Sequence, residues 1–321
     1  MSKNWNANAA TKTELKYVLY EASVQTPEQH ADMFDLMYSD LRGKKASRLR
    51  EDFCGTFAIS CAWSERNQKN EALGLDLDPE PLAFGKKHCL PRLKPEARAR
   101  VFPLEGNVLK RPPGKFSKWL ADITVACNFS FFIFKERTAL CEYFRAARKG
   151  LRKNGVFILE LAGGPGMIEN VREFKRQEAS PLRKLFGLPE KFTYYWQQRD
   201  FDPVTHNGIY SIHFKLDDPK RSWIKDAFTY DWRIWTVPEV RDALIDSGFT
   251  KTHVYWEVEG VENLRKRILR NREEKTSKNS PGLEELGIIE PKAEALYGHD
   301  YIRARHGDNA YSWIAYIVAE R

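Results

Sequence analysis

The stretch that most constrains the fold is LREDFCGTFAISCAWSERNQKNEALGLD, from Leu49 to Asp76. A short apolar approach ends at Glu51, and a tight segment with Cys54, Gly55 and Thr56 follows. Ala58, Ile59, Ala62 and Trp63 then recur at helical spacing, and Ala72 to Leu75 reads as a buried strand ending at Asp76. An acid roughly 20–25 residues beyond a glycine-bearing strand-to-helix turn reads as a ribose-binding carboxylate at the tip of the second strand of a nucleotide fold. The helix N-terminus, with its free amides, attracts an anionic group. Asp76 offers two acceptor oxygens to a pair of ribose hydroxyls.

The dinucleotide fingerprint G-x-G-x-x-G is absent, and only Gly55 survives from it. The segment instead resembles the first motif of class I S-adenosylmethionine-dependent methyltransferases, D/E-x-G-x-G-x-G. Glu51 takes the acid position, Phe53 and Phe57 replace the outer glycines, and Gly55 keeps the central one. LREDFCGT looks like one branch of that superfamily. The resemblance implies S-adenosylmethionine as cofactor, with Glu51, Cys54 and Gly55 on its methionine side, Asp76 at the ribose, and Arg50, Thr56 and Leu77 among its other contacts. Gly106 and Asn107 stand where the family carries Gly-Asp beside the adenine. Asn128 and Phe129, at the fourth strand tip, and Gln25 are further expected cofactor contacts, and Tyr20 and Gln25 are candidates for a lid.

Later elements extend the resemblance. Asp78 caps a helix with Pro79 in its first position. Ala121 to Cys127 is a central strand, ending at Asn128, whose amide is placed to orient a nucleophile. The placement resembles the N/D-P-P-Y/F motif of methyltransferases that act on planar amines, with the prolines missing. A helix from Glu136 to Lys149 stops at Gly150, and K-G-L-x-x-x-G leads into the strand Val156 to Leu161. Thr236 opens a capping box, the helix ends at Gly248-Phe249, and strands His253–Val258 and Tyr311–Ala319 follow. The family fold is α/β, a Rossmann-like seven-stranded sheet in the order 3-2-1-4-5-7-6. Its last strand is antiparallel, because that strand follows a loop without a crossover helix.

Between the fifth and sixth strands the α/β rhythm breaks. Phe192–Arg199, Ile209–Leu216 and Trp223–Trp232 read as two or three antiparallel strands inserted there. In this superfamily such an insertion covers the substrate. Tyr20, Trp196, Tyr230 and Trp232 are therefore the expected acceptor contacts, and Asn128, Tyr195 and Asp231 the expected catalytic residues. His206 and His213 are further candidate bases. The expected organisation is a helical cap at 1–46, a cofactor-binding core at 47–166 and 228–321, and a β-rich substrate cover at 167–227. A charged insertion at 260–309 interrupts the core.

Composition bounds the rest. Apolar residues make up 42% of the chain and aromatics 13%, enough for a sizeable core. No apolar run approaches the roughly 18–20 residues that span a bilayer, and the first residues lack an apolar signal core. Five cysteines without metal spacing read as reduced core thiols of a cytoplasmic protein, and nothing in their pattern suggests a metal. The net charge of +8 is partly concentrated in the basic 263–278 segment. Three readings follow: a methyltransferase of small molecules with an N or O nucleophile, an RNA or protein methyltransferase, and a binding protein without turnover. The aromatic insertion favours the first.

Overall fold

The computed structural model describes residues 12–179, 183–217, 223–257 and 301–321. In chain order its elements are α1 (Lys12–Val24), α2 (Pro27–Arg42), β1 (Arg48–Asp52), α3 (Ala58–Arg66), β2 (Glu71–Asp76), α4 (Pro79–His88), the single-turn α5 (Pro95–Arg98), β3 (Val101–Glu105), β4 (Ala121–Ala126), α6 (Arg137–Lys149) and β5 (Leu151–Gly163). There follow β6 (Arg172–Glu178), the single-turn α7 (Arg183–Phe186), β7 (Lys191–Arg199), β8 (Asn207–Leu216), β9 (Trp223–Arg233), α8 (Val237–Asp246), β10 (Lys251–Glu257), β11 (Tyr301–Ala304) and β12 (Trp313–Glu320).

The large sheet has the order β11-β10-β12-β5-β4-β1-β2-β3. From β3 to β5 all neighbours are parallel, and β12 enters antiparallel between β5 and β10. The seven strands expected from the sequence are present in the expected order. An eighth, β11, pairs antiparallel with β10 at the edge, from residues that the sequence reading had placed in the charged insertion. The basic 263–278 segment lies outside the described residues.

Alternation along the central strands supplies both faces with apolar side chains, as a doubly covered sheet requires. Phe157, Leu159 and Leu161 of β5 pack with Tyr143, Phe144 and Leu140 of α6 and with Val240 and Leu244 of α8. Val156 and Ile158 turn the other way, to Phe34 and Met37 of α2 and Trp63 of α3. Helix α2 begins with Pro27 in its first turn, where the missing N–H costs nothing, and stops at left-handed Gly43.

The inserted sheet has the order β6-β7-β8-β9 and is antiparallel throughout. It has one strand more than the largest number expected, because β6 (REFKRQE) is nearly all exposed and charged and carries no apolar alternation. Its inner face packs Phe192, Ile212, Phe214 and Leu216 with Leu15, Val18 and Leu19 of α1 and Phe84 of α4. Helix α1 is thus held between the core and the inserted sheet. Tyr17 also donates to Glu80 of α4 at 2.9 Å, and Lys16 pairs with the same carboxylate at 2.7 Å. Among the described residues no helix is long and apolar enough to cross a membrane.

Candidate functional site

The turn from β1 into α3 carries three left-handed residues at alternate positions, Phe53 (φ 57°), Gly55 (φ 52°) and Phe57 (φ 49°). These are the three glycine positions of the resembled motif, so the backbone path persists where two of the glycines are gone. A non-glycine residue in this region costs about 1–2 kcal/mol. Burial of the rings offsets that strain. Phe57 is fully buried beneath Gly85 of α4, where even a Cβ would come within 2.4 Å of the ring. Phe53 sits edge-on to Phe134 and Tyr143, with centroids at 6.1 and 5.4 Å.

Two carboxylates fix this loop. Glu51 accepts from the Ser60 amide at 2.9 Å and its hydroxyl at 2.6 Å, capping the first turn of α3. Burial pushes the Glu51 carboxyl up to about 7 in spite of those donors. Asp76, at the end of β2, accepts from the Gly55 amide at 2.7 Å and, through its other oxygen, from the Asp78 amide at 2.9 Å. Burial raises its pKa as well.

Beyond the carboxyl ends of β1, β2 and β4, where ligands bind in open α/β sheets, lies a cavity of about 320 Å³. Its walls include Glu51, Gly55, Asp76 and Asn128 from the core, Tyr17 and Tyr20 from α1, and Gln25 just beyond it. A second cavity, of about 400 Å³, lies beneath the inserted sheet and is lined by Trp196, Tyr194, Phe129, Met167 and Trp313 among others. Tyr20, Asn128, Tyr230 and Trp232 line both. Tyr230 and Trp232 stack at 4.3 Å with 19° between their planes, so the shared wall is a rigid aromatic one. Burial raises the Tyr20 and Tyr230 hydroxyls far above their usual range, and both stay protonated.

The Asn128 tip is held from below. Asn128 and Phe129 are both left-handed, and the Asn128 amide donates to Glu160 of β5. The other Glu160 oxygen accepts from Tyr316 of β12 at 2.9 Å and lies 3.7 Å from His30 of α2. Burial works against a charged His30, yet the Glu160 carboxylate and the Thr26 carbonyl outweigh it and raise the pKa. Glu160 is held below its usual range although burial opposes this, chiefly through His30. Cys127 completes a buried group whose donor atoms lie within 4.8 Å of one another. Hydrogen bonds already engage both oxygens of Glu160, so the arrangement reads as a latch between helix, strand tip and core.

Of the residues expected at the site, Gln25, Glu51, Cys54, Gly55, Thr56, Asp76, Asn128, Tyr20, Tyr230 and Trp232 line the first cavity, and Phe129 and Trp196 the second. Others lie elsewhere. Arg50 is buried against Asp52 and points away from the turn, because successive side chains of β1 face opposite sides of the sheet. Leu77 is 68% exposed. Gly106 and Asn107 form a turn in which the Asn107 side chain accepts from the Leu109 amide at 2.9 Å. Tyr195 alternates with Tyr194 and Trp196 and so faces outward, against Phe174 and Trp223. Asp231 likewise points outward and pairs with Lys135 at 2.5 Å. His213 is bound to Gln197 and the Asp226 amide on that outer face, and His206 sits in the β7–β8 turn. Sequence reading missed Tyr17, Cys127, Phe228 and Glu160. Phe228 was accessible to it, two residues before Tyr230 in the same alternation.

No protein-family model and no curated protein matches the sequence. Solved structures do match. The chain is similar to CalS10, described as an amino pentose methyltransferase from Micromonospora echinaspora solved with S-adenosylmethionine bound. Identity is 16% over 76% of this chain and 91% of that one, with a TM-score of 0.56. It is similar to DesVI of Streptomyces venezuelae at 14% identity, covering 77% and 93%, with a TM-score of 0.60. A third, an S-adenosylmethionine-dependent methyltransferase from Clostridium acetobutylicum, matches at 12% identity over 95% and 97%, with a TM-score of 0.55. At such identities the likeness establishes the fold, that of class I S-adenosylmethionine-dependent methyltransferases.

Two outcomes follow from the loop and the latch. Phe57→Gly relieves the left-handed strain but removes a buried ring, so stability should fall by about 2–4 kcal/mol in urea unfolding. A more stable variant would show that the ring does not hold the turn. The His30–Glu160 pair should contribute most between the 4.5 and 6.5 of the free side chains. Because the His30 pKa is raised on folding, its contribution is complete below 6.5 and lost as pH rises through the folded value. The stability gap between wild type and His30→Gln should therefore narrow from pH 6 to pH 9. A gap constant over that range would mean that His30 is uncharged in the fold.

Proposed function

We propose that the chain is an S-adenosylmethionine-dependent methyltransferase acting on a small, amine-bearing acceptor. The observation that carries this reading is the junction of the two cavities at Tyr20, Asn128, Tyr230 and Trp232, where a donor in one space meets an acceptor in the other. The first cavity suits the cofactor. A Cβ on Gly55 would meet nothing within 4 Å, and the buried Gln25 Oε1 and Thr56 Oγ1 have no hydrogen-bond partner. Asp76 retains lone pairs for ribose hydroxyls beside its two amide contacts. When bound, S-adenosylmethionine supplies a methyl group already activated on a sulfonium.

The chain's own residues then align the acceptor and exclude water. The second cavity supports an amine as that acceptor. Its lining has aromatic faces, which hold a cation or stack a ring, and two carboxylates, Glu173 and Glu257, with no Lys or Arg among the described residues. CalS10, similar in fold, is described as acting on an amino pentose. Neither His206, His213 nor Asp231 lines either cavity, and the phenols at the junction stay protonated. The acceptor therefore enters as an ammonium attracted by the carboxylates and loses its proton to solvent. The free lone pair, oriented by Asn128, displaces the sulfur.

Incubation with S-adenosylmethionine and a panel of amines and amino sugars, read by mass spectrometry, tests the reading. Methylated amines should form, at a rate rising with pH as the ammonium deprotonates. Methylation confined to RNA or protein fractions would contradict the small-molecule reading. Asp76→Ala should weaken cofactor binding at least tenfold, since each hydrogen bond to a charged group contributes about 1.5–3 kcal/mol. Unchanged affinity in calorimetry would overturn the placement of the ribose.

A further inference from the structure

A third cleft, of about 170 Å³, lies at the opposite, amino-terminal end of the strands. It opens between the 109–120 segment, which leads into β4, and the C-terminal half of α6. Lys110, Arg111, Arg145 and Lys149 rim it, all exposed. None of the four has an ion-pair partner among the described residues, whereas nearby Arg152 is neutralised by Asp122 at 2.9 Å. A single carboxylate, Glu142, faces them.

The floor of the cleft is Arg50, which is 2% exposed. Its Nε donates to Asp52 at 2.6 Å and its Nη2 to the Val108 carbonyl at 3.2 Å. The third nitrogen, Nη1, lies under Gly150, where a Cβ would come within 2.7 Å of it. A glycine at this helix end is what brings the guanidinium to the bottom of the cleft. The concavity thus has a buried guanidinium, already paired with Asp52, as its base and four exposed cations without an ion-pair partner among the described residues around its mouth.

Cations gathered around one concavity repel each other and raise the local potential, and an anion that enters relieves both. Arginine forks match phosphate oxygens two at a time, and lysines add point charge. The space is well below the roughly 300–1,000 Å³ that encloses a whole drug-sized ligand. It accommodates the phosphoryl end of a molecule, not all of it. We infer that this cleft is an anion site for a phosphate monoester or pyrophosphate group of a small molecule. It is remote from the methyl-transfer cavities and does not depend on their function.

Calorimetric titration of the full chain with inorganic pyrophosphate at low salt tests the inference. Binding should saturate at one equivalent and weaken at least tenfold in Arg145→Gln/Lys149→Gln, two exposed changes on a helix surface. A charge-matched control, Lys175→Gln/Lys225→Gln on the inserted sheet, should stay within twofold of wild type. Absence of saturation, or equal losses in both variants, would overturn the site. Single-stranded RNA bound more tightly than pyrophosphate, and lost in the first variant only, would overturn the small-molecule assignment in favour of a nucleic-acid backbone.

Discussion

The contact on which the binding architecture depends is the 2.7 Å hydrogen bond from the Gly55 amide to Asp76. It joins the first turn to the tip of the second strand, so that the loop and the Asp76 carboxylate are placed by the same bond. The turn reaches Asp76 only with three left-handed residues, two of which are phenylalanines. Glycine would adopt that path without strain. Here a different solution is used, in which ring burial against α4, α6 and the 131–134 segment offsets the local cost. The left-handed path is held at all three positions although two of the motif's three glycines are replaced.

A second carboxylate organises the strand tip between the two cavities. Glu160 holds the left-handed Asn128 tip through its amide and reaches His30 and Tyr316 with the other oxygen. One side chain therefore couples the N-terminal helix α2, the antiparallel strand β12 and the strand tip that separates the two cavities. Helix α1 closes over the same region, tied to α4 by Tyr17 and Lys16 and packed on the inserted sheet. Tyr20 and Tyr230, which line both cavities, thus come from elements fixed to one another, which favours a preorganised junction.

The central strands were legible from periodicity and turn chemistry, with apolar runs at 72–75, 121–127 and 156–161, a capped helix at Asp78 and a glycine stop at 150, and their order was what the family resemblance implied. Strand β6 was not, since a charged edge strand has no apolar face to read. The residues of the first loop that line the cavity were legible from the motif resemblance. Arg50 was misplaced by a single position in β1, because neighbouring side chains of a strand face opposite ways. Tyr195 failed for the same reason on β7, where Trp196 was assigned to the cavity correctly. Glu160 and His30 were hidden because their meaning lies in a contact across 130 positions of sequence, which no local pattern carries. The basic cleft was hidden likewise, its cations being divided between a loop and a helix.

The central claim is that the cavity beside Glu51 holds S-adenosylmethionine. Calorimetric titration of the purified chain with S-adenosylmethionine at pH 7, in two buffers of different ionisation enthalpy, tests it most directly. Burial pushes the Glu51 carboxyl up to about 7. A cation brought beside it favours the carboxylate and draws the proton off. Saturable binding with net proton release, abolished in Glu51→Gln, is the predicted result. Absence of saturable binding, or binding whose heat is the same in both buffers, would contradict the account.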